Sequence, residues 1–166
     1  MMCSEQTYNK IIAWFTSKKI RLSLLKFVYK TLPLVVFVAY PILLLYLTIT
    51  RDGRILQSIT VPLGVFVTLT LIRKFLNFER PYEKYDIKPI FPKKTEGLSF
   101  PSRHTASAAV IAMTFLFINP IFGAVFLAIS ALIAVSRVFA GVHFPRDVIA
   151  GFLYAVILSA IFFYVL

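Results

Sequence analysis

The sequence predicts an all-α, polytopic membrane helix bundle, with five transmembrane helices and an N-terminal basic amphipathic helix. Three observations lead there. The 166 residues are 59% hydrophobic and only 15% charged, whereas a soluble domain is near half apolar and about a quarter charged. Mean hydropathy is +0.83. The apolar residues also gather into charge-free runs near the roughly 20 residues that a helix needs to cross a hydrocarbon core of about 30 Å. This length allows one globular unit, and no internal repeat, low-complexity tract or flexible linker divides it.

Residues 8–30 come first and differ from the rest. Ile11, Ile12, Trp14, Phe15, Leu22, Leu24, Leu25, Phe27 and Val28 are interrupted by Lys10, Lys18, Lys19, Arg21, Lys26 and Lys30. That pattern reads as a helix lying in the interface, its cations against anionic headgroups. A sixth, irregular span there would bury several charges at about 2.5–3.5 kcal/mol each near the midplane. We therefore divide the chain into an interfacial segment, 1–30, and a transmembrane domain, 31–166.

Residues 31–50 form the first charge-free run, with Pro33 near its start and Pro41 inside it. The polar turn Arg51-Asp52-Gly53-Arg54 follows. A second run covers 55–72 and ends at Arg73 and Lys74. The third, 105–118, stops at Asn119-Pro120, the fourth covers 121–135, and the fifth covers 148–166. Two longer polar stretches remain, 73–104 and 136–147. An even number of crossings separates them, so they share one side of the membrane, and the chemically capable residues converge there.

The net charge of +11 arises from 18 basic against 7 acidic residues. Such an excess suits anionic lipid headgroups or a phosphorylated substrate. Nucleic acid is not expected, because the cations sit between apolar spans rather than on a soluble surface. The single cysteine, Cys3, excludes an internal disulfide and a cysteine-based metal site. No apolar core with a small-residue cleavage site opens the chain, so we expect its own spans to anchor it.

The chain has two histidines, one in each polar stretch. His104 follows Pro101-Ser102-Arg103 at the start of the third span. His143 lies in the run from Ser136-Arg137 to Asp147, at the mouth of the fifth. A phosphate dianion needs several fixed cations, and the planar fork of arginine suits it. Arg73, Arg80, Arg103 and Arg137 could form that cradle. Ser102 and the unpaired N–H groups at the start of the third span would add donors. One histidine could attack phosphorus while the other protonates the leaving oxygen. Asp147 could hold the far ring nitrogen of the nucleophile.

These residues resemble the motifs of the type 2 phosphatidic acid phosphatase superfamily, which also includes vanadium haloperoxidases. Its motifs are a lysine, six residues and Arg-Pro; then Pro-Ser-Gly-His; then Ser-Arg, five residues, His, three residues and Asp. The third is intact here as Ser136-Arg137, His143 and Asp147. The second reads Pro101-Ser102-Arg103-His104, with arginine for glycine. The first has Arg80-Pro81, with Arg73 at the lysine position and Lys74 one place later as a second candidate. The resemblance covers residues 73–147. It implies metal-independent hydrolysis of a lipid phosphate, without a cofactor, through a phosphohistidine. His143 would be the nucleophile, His104 the general acid and Asp147 the orienting carboxylate. Arg73, Arg80, Ser102, Arg103 and Arg137 would hold the phosphoryl oxygens. Undecaprenyl diphosphate is the first substrate expected, phosphatidylglycerophosphate the second and phosphatidate the third.

Blander readings apply elsewhere. Lys84, Lys88, Lys93, Lys94 and Arg146 read as headgroup anchors, and Ser102 could simply cap a helix. Glu79, Glu83, Asp86 and Glu96 lack the histidine-carboxylate spacing of a zinc site, so no metal is expected. An anion transporter would place charges within the spans, where there are almost none. Basic residues favour the cytoplasmic side of a membrane. The resemblance nonetheless implies an extracytoplasmic active site, and phosphate-binding arginines inflate the count, so we expect the extracytoplasmic face.

Overall fold

Backbone in hydrocarbon must satisfy its own hydrogen bonds, so apolar runs of this length fold as helices. The computed structural model describes residues 3–93 and 95–165. It comprises α1 (Glu5–Thr16), α2 (Lys19–Lys26), α3 (Leu32–Ile49), α4 (Ile55–Leu76), the single turn α5 (Pro81–Lys84), α6 (Arg103–Ile118), α7 (Pro120–Phe139) and α8 (Pro145–Tyr164). The described residues include no strand. Lys94, read above as a headgroup anchor, lies outside the described residues, as do the ends of both segments proposed, residues 1, 2 and 166.

Among the described residues, four stretches are long and apolar enough to cross a membrane: Lys19–Ile49, Ile55–Lys84, Pro120–Phe139 and Pro145–Tyr164. The helix α6 has 16 residues, about 24 Å at 1.5 Å per residue, and is shorter. It is also the most enclosed. Every residue from Thr105 to Thr114 is buried, and α6 packs against α3, α4, α7 and α8. Four of its residues, Ala106, Ala108, Ala109 and Ala112, are small enough for neighbouring backbones to approach closely. The outer helices instead turn Leu34, Ile42, Leu71, Phe75, Leu132 and Ile157 outward, as a lipid-facing surface requires. At the far end, Arg54 Nη1 donates to the carbonyls of Phe117 (3.2 Å) and Ile118 (3.5 Å), occupying the unpaired C-terminal carbonyls of α6.

The N-terminal stretch carries the expected basic, amphipathic character, but divides into α1 and α2. The second of these runs through a π-helical turn, Phe27–Thr31, directly into α3. Pro33 accounts for the turn: it has no N–H for the carbonyl of Tyr29, four residues earlier. Leu32 N donates to Phe27 O instead, and the Tyr29 carbonyl accepts from Arg137 Nη2 at 3.1 Å. Helix therefore runs without a break through residues 30 and 31.

Candidate active site

One face of the bundle gathers the C-terminal end of α4, α5, residues 97–102, the start of α6, and the 140–147 turn into α8. Arg73, in the last turn of α4, is 6% exposed. Its guanidinium donates to the carbonyls of Leu98, Ser99 and Pro101. Its neighbour Lys74 is exposed, so Arg73 is the cation that α4 turns inward. Arg80 donates through Nε to Gly97 O (2.9 Å) and through Nη1 to Val142 O (3.3 Å); Nη1 also lies 3.5 Å from His143 Nε2. The carboxylate of Glu83 accepts from the N–H groups of Arg80 and Gly97, both at 2.7 Å. Gly97 and Leu98 are left-handed, with φ of 60° and 52°. A Cβ at Gly97 would stand 2.3 Å from Asn77 Oδ1, so a side chain there would displace the Asn77 amide that accepts from Leu98 N.

His143 precedes α8 and Asp147 lies one helical turn later, which puts both side chains on one face. His143 Nδ1 is 3.5 Å from Asp147 Oδ2 and 3.4 Å from Ser99 Oγ. Ser99 Oγ donates to the same Oδ2 at 2.5 Å, and the N–H of Phe144 does so at 3.0 Å. With Nδ1 facing these oxygens, the tautomer protonated on Nδ1 is favoured and Nε2 carries the lone pair. Burial is the largest influence on His143 and lowers its pKa to about 4; Asp147 opposes this, while the charges of Arg80 and Arg73 reinforce it. The imidazole is neutral near pH 7.

His104, in the first turn of α6, is half-buried. It lines a cavity of about 630 Å³ with Arg103 and the apolar side chains of Phe37, Tyr40, Leu63 and Phe66. Burial first, and then the charges of Arg137, Lys93 and Arg103, lower its pKa below the ordinary imidazole value. Arg103 is exposed, its guanidinium carbon 5.9 Å from the Phe66 ring centre. Ser102 is fully buried. Its N–H donates to Asp147 O (2.8 Å), and its hydroxyl accepts from Thr105 Oγ1 (3.1 Å). It stands at the N-cap of α6 without capping it through its side chain.

The structure brings some of these residues together and gives others separate partners. Arg73, Arg80, His143 and Asp147 are all brought against residues 97–99. Arg137 stacks 4.0 Å from the Tyr29 ring centre and donates to the Tyr29 carbonyl, and its charge reaches His104. Two residues read as headgroup anchors lie beside these groups. Burial, followed by Arg80, Arg137, Arg73 and Arg103, lowers the Lys93 pKa to about 8. Arg146 Nε lies 3.5 Å from Asp147 Oδ1. Ser99 was missed, because a serine in a loop carries no signal until Asp147 is placed beside it. Among the described residues, no group of three or more His, Cys, Asp or Glu side chains gathers as metal ligands.

Residues 55–166, which contain all of these motifs, match the model of the PAP2 superfamily. The chain belongs to that superfamily. It is 28% identical over 131 residues to the undecaprenyl-diphosphatase BcrC of Bacillus subtilis (strain 168), covering 76% of this chain and 67% of that one. An undecaprenyl-diphosphatase of Sulfolobus acidocaldarius is 29% identical over 119 residues, covering 70% of this chain and 58% of the relative. This chain thus spans two-thirds or less of these relatives' length. Among solved structures, Aquifex aeolicus LpxE superposes with a TM-score of 0.65 at 28% identity, covering 85% of this chain and 93% of that one. A PAP2-type phosphatidylglycerolphosphate phosphatase from Bacillus subtilis, 23% identical with a TM-score of 0.52 over 95% of this chain and 74% of that one, shares the fold. Membership together with these relatives makes the protein a membrane phosphoric ester hydrolase, of the kind that acts on lipid phosphates.

Proposed function

We propose that the protein hydrolyses a lipid diphosphate through a phosphohistidine on His143, with undecaprenyl diphosphate as the first substrate to test. The observation that carries this reading is the state of His143. It is buried and neutral, with Nδ1 turned to Asp147 and Ser99, and its Nε2 lone pair faces Arg80. A cation beside the attacking atom suits a phosphoryl group and stabilises the charge that develops in its transfer.

The Nε2 lone pair forms a bond to the terminal phosphorus, and the bond from phosphorus to the bridging oxygen breaks. His104 gives its proton to that oxygen, which leaves as the lipid monophosphate. Water then attacks the phosphohistidine while His104 takes back a proton. The N–P bond breaks, and phosphate leaves. Asp147 holds the positive charge on the imidazole ring during the first step. Arg80, Arg73, Arg103, Lys93, Ser102 and the unpaired N–H groups at the start of α6 receive the phosphoryl oxygens. Arg137 contributes its charge, held in place by Tyr29.

A lipid is favoured because the cavity beside His104 and Arg103 is walled by apolar side chains of α3, α4 and α6, continuing from the reactive group into the span. A diphosphate is favoured by cations beyond those one phosphate needs, Arg103 and Lys93, and by the activity for which BcrC is named. We assign the site to the extracytoplasmic face. A cysteine at exposed Lys88, in a chain with Cys3 replaced by serine, should react with an impermeant maleimide in intact cells. Labelling only after lysis would reverse that assignment.

The test of the activity is phosphate release by the purified protein from undecaprenyl diphosphate, phosphatidylglycerophosphate and phosphatidate, with chelator present. Release by the wild type and not by His143→Ala supports the reading, and the preferred lipid names the substrate. Equal release by both proteins removes the phosphohistidine.

A further inference from the structure

The π-helical turn, the cavity and the basic face all enter the reading above, but α1 does not. It lies outside the residues 55–166 that match the superfamily, and its amphipathic sequence alone would leave it as a surface anchor. Yet Tyr8 is 0% exposed, the most enclosed aromatic residue of the N-terminal segment. Its hydroxyl donates to the backbone carbonyl of His143 at 2.9 Å, across 135 residues of sequence. The ring meets Phe144 edge-on, 6.1 Å between centres, and lies 6.4 Å from Tyr85. One turn later, Ile12 packs over Gly141, where a Cβ would come within 3.4 Å of it. Thus α1 lies across the turn that carries the nucleophile.

We propose that Tyr8 is a positioning residue for phosphoryl transfer, fixing the backbone of His143 so that the ring keeps its place between Asp147 and Arg80. This rests on the reading of His143 as nucleophile. Three other contacts set the same turn. Val142 O accepts from Arg80, Phe144 N donates to Asp147, and Val142 N donates to Arg137 O (3.2 Å). Of these, the Asp147 bond holds the N–H end of the planar His143–Phe144 peptide, and Tyr8 holds its carbonyl end. Without the Tyr8 bond, the carbonyl would be a buried acceptor with one fewer partner, and the peptide, held at its N–H end alone, could tilt about that end. The imidazole then swings about a pivot only a few bonds away, and small displacements of a reacting atom are costly in rate. Burial first, and then the charges of nearby Cys3, Asp147 and Tyr85, raise the Tyr8 pKa above its ordinary value, so the phenol remains a donor throughout the working range.

The test compares Tyr8→Phe with Tyr154→Phe in the full-length protein, with undecaprenyl diphosphate as the probe substrate and His143→Ala in parallel. Each tyrosine change deletes one hydroxyl. Tyr154 makes its bond to Thr68 Oγ1 (2.8 Å) between α8 and α4, away from the site. Tyr8→Phe should lower kcat and the rate of phosphoenzyme formation on the order of tenfold, leave KM within about twofold and shift the melting temperature no more than Tyr154→Phe does. Tyr154→Phe should keep kcat. A Tyr8→Phe protein with the kcat of Tyr154→Phe, beside an inactive His143→Ala, overturns the positioning role and leaves the nucleophile standing. A drop in kcat matched by an equal drop in melting temperature beyond the control also overturns it, because a loosened fold would explain both. An active His143→Ala protein overturns the nucleophile and the Tyr8 role together.

Discussion

Ser99 and His143 share one oxygen of Asp147: Oδ2 accepts the Ser99 hydroxyl at 2.5 Å and stands 3.5 Å from His143 Nδ1. The serine hydroxyl draws on the carboxylate charge that would otherwise act on the ring. Ser99→Ala should strengthen the hold of Asp147 on His143 and raise the imidazole pKa, since a nearby carboxylate favours the charged form. Attack requires the neutral ring. The acid limb of kcat/KM should therefore move to higher pH by about one unit, and Ser99→Thr, which keeps the hydroxyl, should restore it. A pH–rate profile of the three proteins checks this, and an unmoved limb in Ser99→Ala would remove the coupling.

Acid should also weaken the folded protein. His143 has its pKa lowered from 6.5 to about 4 in the fold, so between these values the unfolded chain takes up a proton that the folded chain refuses. Stability contributed by the neutral ring is present above pH 6.5 and is lost as pH falls towards 4. The melting temperature in detergent should drop over that window, and more shallowly in His143→Gln, which cannot titrate. Parallel curves for the two proteins would sink the assignment.

The leaving group separates the two histidines. His104→Ala should reduce turnover of undecaprenyl diphosphate by about 10²–10⁴-fold, the usual contribution of a general acid. It should largely spare nitrophenyl phosphate, whose leaving oxygen needs no proton. Equal losses on the two substrates would assign His104 another role.

Gly151 carries α8 past the start of α6. A Cβ there would stand 2.6 Å from Ser102 O and 3.1 Å from Ser102 N, the peptide whose N–H bonds Asp147 O. Backbone cannot give way as a flexible side chain does. Gly151→Ala should cost about 1–3 kcal/mol, read as a lowered melting temperature, and should reduce kcat because Ser102 and Asp147 move together. Wild-type values for both would show that the helices separate freely.

Much of this was legible in the residues alone. Hydrophobicity is local and additive, so charge-free runs announced the spans, although α6 is shorter than the stretches able to cross and α2 runs on into α3 without a break. The spacing of Arg80, His104, His143 and Asp147 placed them at one face, because crossings can be counted. Burial and hydrogen bonding are properties of pairs, and composition does not hold them. Nothing in a serine two residues before Pro101, or in a tyrosine near the N-terminus, reveals that one meets Asp147 and the other the His143 carbonyl. Lys93 and Arg146 looked like any basic residues near a membrane, until folding set Lys93 among the arginines and Arg146 beside Asp147. Arg137 is steadied by a partner that its motif does not name: a proline four residues after Tyr29 leaves a carbonyl unpaired, and one nitrogen of the guanidinium donates to it. The sequence by itself determined the membrane architecture and the chemical inventory. The tertiary structure decided which members of that inventory face one another, because only packing brings residues 8, 99 and 143 within hydrogen-bonding distance.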